Sequence, residues 1–297
     1  MSTSTRKLRI GITLGDCAGI GPEIVELSLR SRRVPASNEY IIVGGCPNCR
    51  AGEPTRETAR AAAAALEEAV TRARRRELDA IVTGPVHKAG LYEVGFRFPG
   101  QTEFFAERCG VKNVAMCLTG GKLTVALVTA HIPLRKVPHA LNEAEIVRVG
   151  LLLEEFLRSR NKAAPRIAVA GLNPHAGESG KLGRDEIEII APAVEQLQSR
   201  IENRKSTIVG PVSPDTVFNR AIEGEFNAVL CMYHDQGLIP LKLHAFRSGV
   251  NVTLGLPFPR TSPDHGTAFE IAGKGIARPD SMIAAINLAV ELAAKSS

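Results

Sequence analysis

Tryptophan is absent from this chain, and the aromatic residues together make up only 4% of it. The basic excess is small, +6 from 37 basic and 31 acidic residues. Nucleic acid usually meets a concentrated basic face interleaved with aromatics, so a nucleic-acid partner is not expected. Also missing is any apolar run of about eighteen residues, so no segment is expected to span a membrane. The opening Met1–Lys7 leads straight into strand-like sequence without the apolar stretch of a secretory leader, and a cytoplasmic location is expected. In that setting Cys17, Cys46, Cys49, Cys109, Cys117 and Cys231 are expected to be reduced thiols. Cys46-Pro47-Asn48-Cys49 is a solitary CxxC. A zinc site normally needs a second ligand pair and a redox site a thioredoxin-like setting, so it reads as an ordinary loop.

What the sequence has in quantity is glycine, 27 of 297 residues, and hydrophobic residues, 44%. Tight βα turns consume glycine, and a core of this size suits one large or two medium domains. Strand-like runs recur at Arg9–Leu14, Tyr40–Val43, Ala80–Thr83, Ala115–Leu118, Thr124–Thr129, Arg166–Ala170, Thr207–Val209, Ala228–Met232 and Val250–Leu254. Helical spacing fills Glu23–Ser31, Thr58–Arg75, Glu143–Arg158, Arg184–Gln198 and Ser281–Ala294. Such alternation predicts an α/β fold with largely parallel sheets and flanking helices. Asn142 and Asp280 stand where N-caps belong. The Arg72, Arg74, Arg75, Arg76 cluster ends a predicted helix, where cations suit the dipole and face water. No G-x-G-x-x-G follows the first strand, so a Rossmann assignment fails its own fingerprint. Gly15-Asp-Cys-Ala-Gly19-Ile-Gly21-Pro-Glu lies there instead, either a flexible turn or a loop whose backbone approaches a ligand.

Three of the seven histidines share a context. His131, His175 and His234 each follow a predicted strand, and ligands of open α/β sheets bind beyond the carboxyl ends of strands. Together they are candidates for one divalent ion with open positions for substrate; separately each reads as a hydrogen-bonded loop histidine. Lys242, Asn251 and Arg260 lie among apolar residues in or beside predicted strands and turns. They are anion-binding candidates or members of structural ion pairs.

These residues sit within longer motifs: T-L-G-D-C-A-G-I-G-P-E from Thr13, V-T-G-P-V-H-K at 82–88, T-E-F-F-A-E at 102–107, N-P-H-A-G-E at 173–178, P-D-T at 214–216, M-Y-H-D-Q-G at 232–237 and L-G-L-P-F-P-R-T-S-P-D-H-G-T-A from Leu254. In that order, nearly end to end, the chain resembles the 4-hydroxythreonine-4-phosphate dehydrogenase family. The resemblance implies a two-domain fold like isocitrate and isopropylmalate dehydrogenases. Residues 1–118 plus 253–297 are expected to form a terminal domain with a nucleotide-type loop, and 119–252 a central domain with metal ligands and dimer contacts. It implies a homodimer with the active site at the interface and one divalent ion (zinc, magnesium, manganese or cobalt) on His131, His175 and His234. Substrate falls to Gln101, Thr102, Lys242, Asn251 and Arg260. The stretch from His265 resembles the nucleotide loop of the isocitrate group, which assigns His265, Gly266, Glu270 and Gly273 to the cofactor. Glu270 favours NAD over NADP, because a carboxylate accepts a ribose hydroxyl and repels a 2′-phosphate.

The implied reaction is oxidation, with decarboxylation, of 4-phosphohydroxy-L-threonine to 3-amino-2-oxopropyl phosphate in vitamin B6 biosynthesis. Lys242, Asp235 and Asp215 are its catalytic candidates; the aspartates serve in proton transfer, in orienting metal ligands, or only as caps and turns. Three departures from the pattern stand out. Gln101 replaces the usual histidine, which keeps hydrogen-bonding capacity but loses a protonatable ring. The chain is short between Gly44 and Thr58, and Cys17 replaces a proline. They leave open a related substrate, D-threonate or D-erythronate 4-phosphate. The rivals are a three-histidine zinc hydrolase and a silent phosphate-binding protein on the same scaffold.

Overall fold

The structure, a computed structural model, describes residues 6–160 and 163–296; of the opening heptapeptide read above, residues 1–5 lie outside it. Ten strands follow the chain. They are β1 (Arg9–Thr13), β2 (Glu39–Val43), β3 (Ala80–Thr83), β4 (Ala115–Gly120) and β5 (Leu123–Leu127), then β6 (Arg166–Ala170), β7 (Thr207–Val212), β8 (Ala228–Cys231), β9 (Val250–Leu254) and β10 (Arg260–Pro263). The α-helices are α1 (Gly21–Arg30), α2 (Arg56–Arg74), α3 (Lys88–Glu93), α4 (Gln101–Cys109), α5 (Val137–Ala140) and α6 (Glu143–Ser159), then α7 (Ala191–Ile201), α8 (Val217–Ile222), α9 (His234–Ala245) and α10 (Asp280–Ser296).

The chain divides into two compact units. A terminal unit comprises Met1–Lys112, Val250–Val252 and Leu256–Ser297; a central unit comprises Asn113–Gly249 and Thr253–Gly255. In the terminal unit the strand order is β2-β1-β3-β10-β9, parallel except where β9 meets β10. In the central unit it is β4-β5-β8-β6-β7, parallel except for the β4–β5 hairpin. Both sheets are therefore largely parallel with flanking helices, as the strand and helix alternation predicts. Strands buried on both faces need apolar residues at every position rather than alternate ones. β3, β5 and β8, with AIVT, LTVAL and AVLC, are buried at every residue and apolar at all but Thr83 and Thr124.

Helix signals are read well where they are local. Asn142 caps α6, its side chain accepting from the Glu145 N–H at 3.0 Å. α2 starts earlier than its apolar period suggests, because Thr55 and Thr58 form a reciprocal capping box. Asp280 is not an N-cap: it lies within the first turn of α10, where its carboxylate meets Arg33 at 2.7 Å. The predicted helix Arg184–Gln198 is a π-helical turn, Glu186–Ile190, running into α7. All six cysteines are free thiols. Among the described residues no helix is long and apolar enough to cross a membrane.

Candidate active site

The central unit gathers the histidine-bearing segments. β5, β8 and β6 are neighbours and run parallel, so the segments after all three leave the same edge of the sheet. His131 follows β5, His234 opens α9 after β8, and His175 follows β6. Two braces, the second of them buried, hold these segments together. Thr129 Oγ1 donates to the Met232 carbonyl at 2.7 Å, tying the His131 segment to the His234 segment. Gln236, in the first turn of α9, accepts from Met232 N–H and donates to the Gly171 carbonyl, both at 2.7 Å, tying His234 to the strand end before His175.

The rings of His131 and His234 lie 5.7 Å apart, beside a cavity of about 410 Å³ that Tyr233, Asp235 and Ile132 also line. His234 Nδ1 meets Asp235 Oδ1 at 2.6 Å, and His175 Nδ1 stands 3.7 Å from Asp215 Oδ2. At His234 the bonded carboxylate fixes the tautomer and leaves the other nitrogen to coordinate, whereas Asp215 stands beyond hydrogen-bond distance of His175. The Asp215 carboxyl is held below the usual range by the Ser213 hydroxyl first and, more weakly, by His175. The chemistry of this donor set fits a divalent ion. Among the described residues, however, no three His, Cys, Asp or Glu side chains of one chain are close enough to hold a metal.

His175 sits on unusual backbone. His175, Ala176, Gly177, Glu178 and Ser179 all have positive φ, between 44° and 80°. Four of the five carry side chains, for which a left-handed conformation costs about 1–2 kcal/mol each. What offsets that cost is Glu186, only 2% exposed at the head of the π turn. Its Oε1 accepts from the N–H groups of Leu172 and Asn173, both at 2.7 Å, and Oε2 from Asn173 Nδ2 at 3.0 Å. Gly177 must be glycine: a Cβ there would stand 2.6 Å from Glu186 Oε2 and 2.8 Å from the Gly183 carbonyl. Glu186 was not singled out from sequence, although a signal exists. It occupies the stripe continued by the buried Ile190, Ala193 and Leu197, where a carboxylate is out of place. Glu186→Ala would strand two partly buried N–H groups at about 1–3 kcal/mol each. A loss of roughly 3 kcal/mol is expected in urea unfolding, with a disordered His175 segment by amide exchange; an unchanged midpoint would remove Glu186 from this role.

The terminal unit holds the anion-binding candidates. Arg260, 2% exposed on β10, donates through Nη2 to Thr83 Oγ1 at 2.5 Å and to Gln101 Oε1 at 2.8 Å, and its guanidinium lies 5.5 Å from the Phe105 ring. Burial pulls its pKa down to about 9, opposed by Glu103. A guanidinium nevertheless stays charged at neutral pH, so an incoming anion recovers much of the desolvation cost. Gln101 and Thr102 open α4, and Asn251 on β9 pairs with Ser262 beside Arg260. Asn251 Oδ1 is buried without a hydrogen-bond partner, an acceptor left for a ligand hydroxyl or ammonium. Thr83 joins this cluster without having been anticipated. Lys242 belongs to the central unit and lies on α9, not on a strand or turn, two helical turns from His234.

The nucleotide-type candidates lie on the segment between β10 and α10. His265 Nδ1 meets the Gly266 carbonyl at 3.1 Å, while its Nε2 is buried with no partner, a polar atom that a cofactor would satisfy. Glu270 is exposed, and a Cβ on Gly266 would meet nothing. Gly273 has a structural task as well: its N–H donates to Glu23 Oε2 at 3.2 Å, and a Cβ would stand 2.8 Å from Ala51 Cβ. The glycine loop after β1 packs on the same segment, Ile20 N–H donating to the Thr267 carbonyl at 2.9 Å. A Cβ on Gly19 would stand 2.7 Å from that carbonyl, so this glycine serves close approach to the protein's own backbone.

Against known proteins, residues 20–289 match the family model described as pyridoxal phosphate biosynthetic protein PdxA. The 4-hydroxythreonine-4-phosphate dehydrogenase of Caulobacter vibrioides is 42% identical over 96% of this chain and 98% of its own length. The crystal structure of the enzyme of that name from Klebsiella pneumoniae superposes with a TM-score of 0.84, at 37% identity over 98% of this chain and 99% of that one. A β-decarboxylating dehydrogenase from Thermococcus kodakarensis, 17% identical, has a TM-score of 0.54 over 93% of this chain and 80% of its own, a likeness of fold alone.

Proposed function

Because the chain belongs to the PdxA family of pyridoxal phosphate biosynthetic proteins, we propose that it is a cytoplasmic, NAD-dependent dehydrogenase converting 4-phosphohydroxy-L-threonine to 3-amino-2-oxopropyl phosphate. The observation that carries this reading is the exit of His131, His175 and His234 from one edge of three adjacent parallel strands, two of them with a carboxylate at Nδ1.

In this proposal His131, His175 and His234, contributed by both subunits of a dimer, would hold the divalent ion, with Asp235 orienting the His234 ring and Asp215 beside His175. A bound divalent ion would supply a Lewis acid for the substrate hydroxyl, and a bound nicotinamide would supply the hydride acceptor. Arg260 binds an anionic group of the substrate through its planar fork, which suits phosphate or carboxylate better than an ammonium does. Asn251 Oδ1 fixes orientation, Gln101 and Thr102 address the other end of the substrate, and Lys242 supplies a second cation. Asp235 and Asp215 are also the candidates for proton transfer. His265, Gly266, Glu270 and Gly273 take the dinucleotide, and the exposed Glu270 carboxylate selects NAD by repelling a 2′-phosphate.

The protein is proposed to work as a homodimer. Ile239 and Leu243 on α9 and Phe246 at its C-cap follow helical spacing and are 65%, 88% and 78% exposed. A surface helix normally buries such a stripe. Leu243→Glu is expected to give a folded monomer by sedimentation, and a dimer that persists would place the contact elsewhere. Gln101, whose Oε1 receives Arg260, favours a second reading on one point: a four-carbon aldonate phosphate in place of the amino acid phosphate. Reduced-nicotinamide absorbance with each substrate, with and without chelator, tests both readings. Metal-dependent cofactor reduction with the amino acid phosphate is expected; hydrolysis without reduction would mean a hydrolase.

A further inference from the structure

The solitary CxxC is not isolated in the folded chain. Cys46 and Cys49 are the ends of a turn with Pro47 and Asn48 at its centre, closed by Cys49 N–H to the Cys46 carbonyl at 3.2 Å. Proline at the second turn position presets the backbone, so the two ends are held near one another before any reaction. A turn brings its end Cα atoms within about 7 Å, and a disulfide needs about 4.4–6.8 Å. Both cysteines are partly exposed and line a cavity of about 220 Å³. Below them lies the buried Cys17 of the glycine loop, whose carbonyl is 3.5 Å from Cys49 Sγ. Gly52 N–H, donating to the Ala18 carbonyl at 2.8 Å, pins the segment to that loop. The three sulfurs feel one another: burial, then Cys49 and Cys46, push the Cys17 thiol up to about 11. They are not gathered as a metal cage among the described residues. Joining two of them requires only the ends of one turn.

We propose that Cys46 and Cys49 form a reversible disulfide within their turn, a modification site open to small peroxides, with Cys17 remaining a thiol beneath it. One thiolate attacks hydrogen peroxide, forming an S–O bond as the O–O bond breaks and hydroxide leaves. The second thiolate attacks that sulfur, the S–S bond forms, and the S–O bond breaks to release the second oxygen as water. Two thiols and one peroxide thus give one disulfide and two waters. Only a thiolate reacts, and burial followed by the neighbouring Cys49 raises Cys46 above its ordinary range. Oxidation is therefore slow at neutral pH and faster at mildly alkaline pH.

The test treats the full chain with a small excess of hydrogen peroxide at mildly alkaline pH, then alkylates, digests with trypsin and weighs the peptides. The peptide Val34–Arg50, which contains both cysteines, should lose two hydrogens, take up no alkylating reagent and recover both properties after dithiothreitol. Cys17→Ser should leave the change intact, and Cys46→Ser or Cys49→Ser should abolish it while circular dichroism stays that of the parent. A cross-link to the peptide Ile10–Arg30 would overturn the assignment. So would oxygen added to single sulfurs of the parent, an unchanged peptide, or zinc bound in equal amount that blocks oxidation.

Discussion

His131→Ala is expected to lower kcat/KM by about a thousandfold, because several kcal/mol of Lewis-acid stabilisation would be lost with the ion it is proposed to hold. His131 is exposed and lies in the bend after β5, outside the apolar core, so the fold should survive. Metal content of the purified variant should fall in parallel with activity. Asp235→Asn makes the same case more gently. It keeps the shape of the group at His234 Nδ1 while weakening its acceptor strength, and about 10–100-fold in metal affinity is the expected loss. Full activity in a metal-free His131→Ala protein would end the metal reading.

Arg260→Lys tests the anion-binding role proposed for the terminal unit. Lysine keeps the charge but loses the planar fork that would grip an anionic group of the substrate through two parallel hydrogen bonds. Each bond to a charged group contributes about 1.5–3 kcal/mol, so kcat/KM should fall on the order of a hundredfold, chiefly through KM. A lowered kcat with unchanged KM would instead mean that Arg260 acts only as the reaction proceeds. Wild-type kinetics would exclude it from substrate binding.

Much of this was legible before any coordinates. Strands β3, β6 and β9 have the predicted bounds, because their flanking turns and β-branched residues are local signals. Helix α9 was not legible. Gly237 and Pro240 interrupt it, and apolar residues occur both on its buried face, at Leu238 and Leu241, and on its exposed one, so the sequence shows no helical period. β10 was missed for a related reason: Arg260 and Pro263 occupy a strand of four residues that the fold buries completely. The histidines could be recognised as strand-end residues one at a time, but their common edge is a property of strand order. The left-handed backbone at His175 depends on a carboxylate eleven residues away in sequence and could not be read from the segment itself.

The Thr129–Met232 and Gln236–Gly171 bonds have a kinetic consequence. Segments joined through buried partners cannot fluctuate one at a time without stranding a polar group, so they should open to solvent as a single cooperative unit. The amides of Thr129, Gly171 and Met232 should then share one exchange free energy in deuterated buffer. Gln236→Leu, which severs one link, should split that shared value into two.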